Sequence, residues 1–430
     1  MIRPQLGEFM KRMDERSVAI IPSAREATRS NDTQYRYRQD SDFYYLTGFE
    51  EPASIAIITP SREQKYTLFV RPRDPEREVW DGTRAGVEGA KSEFGADEAF
   101  SIAEFDERLT DILDGASSLY YRLGVNPDLD DTIVREIARM RALNRKPIHP
   151  PQTIVDPATI VHELRVFKSA EEIALMQRAA DIAADAHCQA MKAVRPGMKE
   201  YEIEALIEQI FRARGATGPA YNSIIGAGAN ATVLHYINNT ATLNDGELLL
   251  IDAGAEYKSY ASDITRTFPI NGRFTGPQRE IYDLVLATQM SCTEMVRPGV
   301  RHDDLKSHSI EMLTEGMVRL GLLKGDPKEL IKEEKYKQFY MHGLGHLLGI
   351  DVHDVGRYYF GDESRALEPG MVMTVEPGLY ISPATMDIPE QYLGIGVRIE
   401  DDVLVTANGP CVLTSKVPKD ADEIEALMAR

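Results

Sequence analysis

Up to about residue 150 the chain alternates short apolar runs with polar stretches of helical character. SVAIIPS, SIAIITP, YTLFVRP and LYYRLGVN predict strands, while the segments near 85–113 and 129–142 predict helices. That alternation predicts an α/β domain. The segment NRKPIHPPQTIVDPA then packs four prolines into a short span, and a long helical pattern starts at KSAEEIALMQRAADIAADAHCQAMKAV, with Ser169 as N-cap and Glu172 three residues on. A domain boundary is expected near Phe167, dividing the chain into residues 1–166 and 167–430.

The second half repeats its own pattern. AVRPGMKEYEIEALIEQIFRARG is echoed by MVRPGVRHDDLKSHSIEMLTEGMVRLG, each a helix end, an Arg-Pro-Gly turn and another helix, with Arg195 matching Arg297. DGELLLIDAG is echoed by EPGMVMTVEPG, which sets Gly246 on Gly370, Asp252 on Glu376 and Gly254 on Gly378 at one offset (370 − 246 = 376 − 252 = 378 − 254 = 124). Both copies therefore end an apolar strand in a carboxylate. A further strand follows in each, YASDITRTFPI and IGVRIEDDVLV, again with acidic residues. Two hairpins related by a pseudo-two-fold axis would gather those acids at the axis, a setting for divalent cations.

Burying an isolated carboxylate costs several kcal/mol, so Asp252 and Glu376 each require something positive beside them. One such residue could cap a turn or meet a lysine; two at matching repeat positions weaken that explanation. Period-2 alternation puts Asp263, Thr265 and Thr267 on one face of their strand, and Arg398, Glu400 and Asp402 on one face of theirs. Spacing does not choose Glu400 over Asp402. Asp401 falls on the opposite face, and for Asp401 and Asp402 the plain expectation is a solvated acidic turn.

Histidine is concentrated in MHGLGHLLGIDVHD, which holds His342, His346 and His353, three of the nine in the chain. The i, i+4 spacing of His342 and His346 suits a helical metal pair, but Gly343 and Gly345 argue against a regular helix. HELRVFK at 162 only imitates a zinc motif, since position 166 is valine. GAGANA at Gly226 imitates a dinucleotide fingerprint, but ATVLHYINN after it predicts a strand where a helix is needed. That strand would put His235 opposite the histidine-rich segment of the second copy.

Composition narrows the function classes. The chain has 430 residues, 43% of them hydrophobic and 27% charged, as expected of a globular protein with more than one core. With 68 acidic against 49 basic residues its formal charge is −19, which repels phosphate backbones and disfavours nucleic-acid partners. Three scattered cysteines without a CxxC pair suggest a reducing compartment. The first residues lack a signal-peptide apolar run, and no stretch of ~18 apolar residues suggests a membrane span. A cytoplasmic location is expected.

IDAGAEYKSYASDITRTF, HGLGHLLGIDVHD, VEPGLY and GVRIEDD resemble the signature segments of the pita-bread metallopeptidases. With YRYRQDSDFYYLTGFEEPAS and REVWDGTRAG in the first half, nearly the whole chain resembles the Xaa-Pro aminopeptidase (aminopeptidase P) family. The resemblance implies an N-terminal α/β domain followed by a pita-bread catalytic domain, α/β (α+β) in class. It implies two divalent ions, with Asp252 on one, Asp263 and Glu400 bridging both, and His346 and Glu376 completing the second; this is what selects Glu400 over Asp402. His235, His342, His353 and Arg398 are implied as groups behind the ligands or against substrate, with Tyr380 and Trp80 as neighbours.

Four carboxylates and a neutral imidazole balance two divalent charges, and an oxygen-rich set favours Mn²⁺, with Co²⁺ or Zn²⁺ able to use the same atoms. The expected chemistry is attack by a metal-bridging hydroxide on the first peptide carbonyl of peptides with proline in second position. Glu376 would carry the proton to the proline nitrogen and His353 would steady the oxyanion, with His235 and His342 on the proline side. A prolidase restricted to dipeptides is the nearest alternative, ahead of methionine aminopeptidases. Metal-free creatinase-like enzymes and pita-bread binding proteins fit less well, since they typically lack the five ligands. The family resemblance also implies a homo-oligomer, dimer or tetramer, in which N-terminal domains border neighbouring active sites.

Overall fold

The computed structural model describes residues 3–429. Internal contacts divide the chain into two units, one up to Arg165 and one from Val166 onward.

Six strands form the sheet of the first unit: β1 (Ser17–Pro22), β2 (Ile55–Ile58), β3 (Tyr66–Val70), β4 (Glu98–Ser101), β5 (Ser118–Tyr120) and β6 (Thr153–Val155), in the order β4-β3-β2-β1-β5-β6. The central pairs β1/β2 and β2/β3 are antiparallel and the outer ones parallel. Val18, Ile20, Ile57 and Phe69 from the sheet pack with Leu109, Leu113, Ile133 and Ile137 from the helices Phe105–Leu113 and Pro127–Ala142. The apolar runs read as strands are strands because these central segments are buried on both faces. One expectation is corrected here. The span 85–113 is not continuously helical: a helix at Gly86–Ser92 ends before Gly95, whose φ is +71°, and β4 follows, paired to β3, before the next helix. His162 lies on helix Ala158–Val166 and pairs with Asp42 at 3.1 Å.

The second unit opens with helix Ala170–Ala193, capped by reciprocal bonds between Ser169 and Glu172. Its first carboxylate hairpin comprises β7 (Ile224–Ala227), β8 (Leu248–Asp252) and β9 (Thr265–Pro269), paired antiparallel in that order. Asp252 stands opposite both Ile224 and Thr265. The second comprises β10 (Val372–Val375), β11 (Gly378–Tyr380), β12 (Gly396–Arg398), β13 (Asp401–Thr406) and β14 (Gly409–Val412), with β10/β13/β14 in one antiparallel sheet and β11/β12 in another. IGVRIEDDVLV is thus two strands, broken at Ile399 and Glu400. Helices Glu200–Ala213, Gly276–Met295 and His302–Arg319 bury Ile203, Phe211, Ile281, Val285, Leu313 and Met317 in the core shared with Leu249, Ile251 and Val397.

ATVLHYINN is not a strand. After β7 the chain turns at Gly228 (φ +53°) into a 3₁₀ turn, Gly228–Thr232, that folds back onto β7. A Cβ on Gly226 would lie 3.1 Å from the backbone of Asn230 and Ala231, so a side chain there would press against the fold-back. His235 consequently sits on an exposed loop.

Candidate metal centre and cavity

Asp252, Asp263, His346, Glu376 and Glu400 all line one cavity of about 720 Å³, together with His235, His342, His353, Arg398 and Tyr358. Asp252 is placed by the end of β8, and Asp263 by the crossing segment just before β9. That crossing is close: a Cβ on Gly254 would stand 1.7 Å from the Ser262 carbonyl oxygen. Gly345 similarly lets the histidine segment press onto β10, where a Cβ would lie 2.0 Å from the Thr374 carbonyl oxygen. The segment is a loop, as its glycines require.

His346 is locked from behind. Its main-chain N–H donates to Thr374 Oγ1 at 3.0 Å, and its ring Nδ1 meets the Leu347 carbonyl at 3.0 Å. A proton on Nδ1 leaves the Nε2 lone pair facing Asp263 Oδ2 at 3.4 Å and Glu376 Oε1 at 3.5 Å. Ligand atoms of Asp263, His346 and Glu400 lie within 4.8 Å of one another, as a shared cation requires.

The electrostatics point the same way. Burial, and then the charges of Asp252 and Glu376, push the Asp263 carboxyl well above its ordinary value. Burial followed by Asp263 and Asp252 does the same to Glu400. Glu376 is pushed up to about 8, by burial first and then by Glu400. The Tyr221 hydroxyl bonds Asp252 Oδ1 at 2.6 Å and also contacts Asp263 Oδ1. One hydroxyl proton cannot serve two carboxylates, so this cluster requires either extra protons or cations. The donor set therefore fits a pair of divalent ions.

Behind the cluster, Arg398 Nη2 donates to Asp252 Oδ2 at 2.6 Å and Nη1 to the Tyr380 hydroxyl at 2.9 Å. Tyr380 is buried and absent from the cavity lining; its hydroxyl reaches His342 Nε2 at 2.8 Å. His342 Nδ1 meets the Gly343 carbonyl at 2.7 Å and so donates there, which in the neutral ring leaves Nε2 to accept from Tyr380. Burial and then Arg398 hold its pKa down to about 4. His353 stacks edge-on to His346 with ring centroids 4.3 Å apart. Trp80 is not among the cavity residues: it stands on helix Pro75–Asp81 of the first unit, 84% exposed.

Sequence reasoning missed Tyr221, Thr265 and Thr374. Thr265 Oγ1 donates to Glu400 Oε2 at 2.6 Å and Thr374 Oγ1 to Glu376 Oε1 at 3.2 Å. Period-2 alternation set Thr265 on the face of Asp263, which was the available signal; Tyr221 carries none. The expected solvated turn at Asp401 and Asp402 is corrected: both are buried, because Arg266 and Lys419 pair with Asp401 and a main-chain N–H meets Asp402.

Two family models match the chain: Metallopeptidase family M24 over residues 174–407, and Aminopeptidase P, N-terminal domain, over residues 5–120. The fold and this acidic cavity are those of a family M24 metallopeptidase with the pita-bread catalytic domain. The chain is 46% identical over 422 residues to the Xaa-Pro aminopeptidase of Escherichia coli (98% of this chain, 95% of that one) and 48% identical over 417 residues to that of Haemophilus influenzae (97% and 94%). The solved structure of Pseudomonas aeruginosa aminopeptidase PepP superposes with a TM-score of 0.97 at 49% identity, covering 100% of this chain and 99% of that one. Zinc-substituted E. coli aminopeptidase P in complex with product superposes with a TM-score of 0.96 at 46% identity (99% and 96%). The chain belongs to the Xaa-Pro aminopeptidase, or aminopeptidase P, family of metallohydrolases.

Proposed function

We propose that this chain removes the first residue from peptides with proline in second position, with two divalent ions held by Asp252, Asp263, His346, Glu376 and Glu400. The observation that carries the reading is the convergence of these five side chains, from both repeat copies, on one cavity. Asp252 would hold one ion, Asp263 and Glu400 would contribute to both, and His346 with Glu376 would hold the second. The oxygen-rich donor set favours Mn²⁺, and Co²⁺ or Zn²⁺ could use the same atoms. Bound there, the pair would supply Lewis acidity, a more acidic water and an anchor for the free amino end.

The chain's own groups supply the rest. Glu376 takes up the proton released by the attacking water and passes it to the leaving proline nitrogen. His353 donates to the developing oxyanion. His342 has both ring nitrogens engaged, so it offers its ring face to proline, with His235 on the exposed side. Arg398 and Tyr380 orient Asp252 and His342.

Trp80, exposed on the first unit, fits a contact to substrate in a neighbouring subunit, and we propose a homo-oligomer, dimer or tetramer. Cys188, Cys292 and Cys411 are all free, which supports a reducing, cytoplasmic setting. The domain limits 1–166 and 167–430 are proposed as the functional division.

The test is a cleavage panel, Xaa-Pro against Xaa-Ala in peptides of two, three and more residues, each with Mn²⁺ and with chelator. Cleavage of Xaa-Pro tripeptides and longer peptides, abolished by chelator, is expected. Cleavage confined to dipeptides would instead indicate a prolidase, and equal cleavage of Xaa-Ala would overturn the proline specificity.

A further inference from the structure

Three consecutive acids, Glu400, Asp401 and Asp402, are at most 1% exposed, yet of the three only Glu400 lines the cavity. Burying two more carboxylates beside four others is costly and calls for a structural return. Asp402, on the second hairpin, turns both oxygens to the main-chain N–H of Asp263 on the first, at 3.2 and 3.1 Å. Its own N–H donates to Thr414 Oγ1 at 3.2 Å, which holds it in register. The adjoining tie is made by Arg266, which has no exposed surface. It follows Thr265 on the first hairpin and donates through Nη1 to the Glu400 carbonyl at 2.5 Å and through Nη2 to Asp401 Oδ1 at 2.7 Å. The Glu400 N–H completes the seam by donating to the Thr265 carbonyl at 3.1 Å.

The two carboxylates proposed to bridge the ions come from different hairpins, so their separation depends on how those hairpins are tied. Neither Asp402 nor Arg266 lines the cavity. We infer that Asp402 and Arg266 are positioning residues that clamp the backbones of Asp263 and Glu400 and so set the spacing of the two bridging carboxylates. The inference rests on the reading of this cavity as a two-metal site. Outer partners of this kind typically alter metal affinity about 10- to 100-fold when removed.

The experiment is Mn²⁺ titration of the metal-free full chain by calorimetry, with low-temperature EPR of the loaded protein for coupling between the two ions. Wild type is compared with Asp402→Val, Asp402→Asn and Arg266→Lys, and with Met317→Ala as a destabilised control from the buried face of helix His302–Arg319. Melting temperatures are recorded without metal. Asp402→Val is expected to weaken Mn²⁺ binding at least about tenfold and to change the coupling signal. Asp402→Asn, which keeps an oxygen for the Asp263 N–H, is expected to lose much less. Arg266→Lys, which loses the fork to Glu400 and Asp401, is expected to weaken binding as well, and it carries the test if Asp402→Val does not fold. Met317→Ala is expected to lower the melting temperature and leave Mn²⁺ affinity unchanged. Two Mn²⁺ bound with wild-type affinity and coupling in folded Asp402→Val, or in folded Arg266→Lys where Asp402→Val does not fold, would overturn the inference alone. An Asp402→Asn loss equal to that of Asp402→Val would also overturn it. Absence of Mn²⁺ uptake by wild type would overturn the site reading and this inference together.

Discussion

The two carboxylate hairpins share a plan but are supported differently, and each is held partly by the other. On the first, Asp252 and Asp263 share the Tyr221 hydroxyl, while Asp252 takes its cation, Arg398, from the second. On the second, Glu376 takes a bond from its own Thr374, while Glu400 takes one from Thr265 of the first. The second also carries the histidine loop, whose Asp354 forms a fully buried pair with Lys168 at 3.0 Å. At the matching place the first copy offers an exposed loop with His235. The acids thus come in matching pairs from the two copies, whereas the histidine-rich loop belongs to the second copy.

Breaking that asymmetry should cost most at Glu376. Glu376→Gln is expected to lower kcat about a thousandfold at saturating Mn²⁺, whereas near-wild-type turnover would show that the second hairpin holds no proton-transfer role. Steady-state kinetics of the metal-reconstituted variant measures it.

Lys168→Met removes the buried cation that Asp354 meets at 3.0 Å and is expected to cost about 3–5 kcal/mol in urea denaturation. A loss under about 1 kcal/mol would mean that the histidine loop does not depend on this pair.

Tyr221→Phe removes a hydroxyl in contact with two carboxylates, and Thr374→Val removes a donor to one. Calorimetric Mn²⁺ titration should show about a 10- to 100-fold loss of affinity for the first and a smaller one for the second. The reverse order would mean that the first hairpin does not depend on its shared hydroxyl.

The smallest expected effect is at His187, buried behind the first hairpin, where Nε2 meets the Ala253 carbonyl at 2.9 Å. Burial holds its pKa down to about 4 against an ordinary 6.5. The folded state thus binds a proton less readily than the unfolded state. The stability contributed by neutral His187 is present above pH 6.5 and is lost as pH falls toward 4. Between pH 7 and 5 this amounts to about 2 kcal/mol. His187→Gln, which can still donate to Ala253, should show a shallower acid loss in urea denaturation; an unchanged slope would refute the assignment.

Much of the fold was legible because burial writes itself into local pattern. β1, β2 and β8 are apolar runs since both their faces are covered, and Ser169 with Glu172 announces a helix start through bonds made within one turn. The internal repeat marks Asp252 and Glu376 as equivalent positions at matching strand ends. What escaped the sequence depended on distant partners. Asp401 and Asp402 look like a solvated turn until Arg266 and the Asp263 N–H are placed against them. Tyr221 reaches Asp252 and Asp263 across 31 and 42 residues, with no periodicity to mark it. β4 is four residues long and lies between two helices, so its strand character comes from pairing with β3. His235 lies on a loop because a glycine turn, and not the β-branched residues after it, sets the local path.

The most direct test of the central claim is to strip the protein of metal, add Mn²⁺ stepwise, and follow both bound Mn²⁺ and cleavage of an Xaa-Pro tripeptide. Two ions per chain, with cleavage appearing as they bind and absent before, is the predicted result. Full cleavage by exhaustively chelated protein would contradict the account.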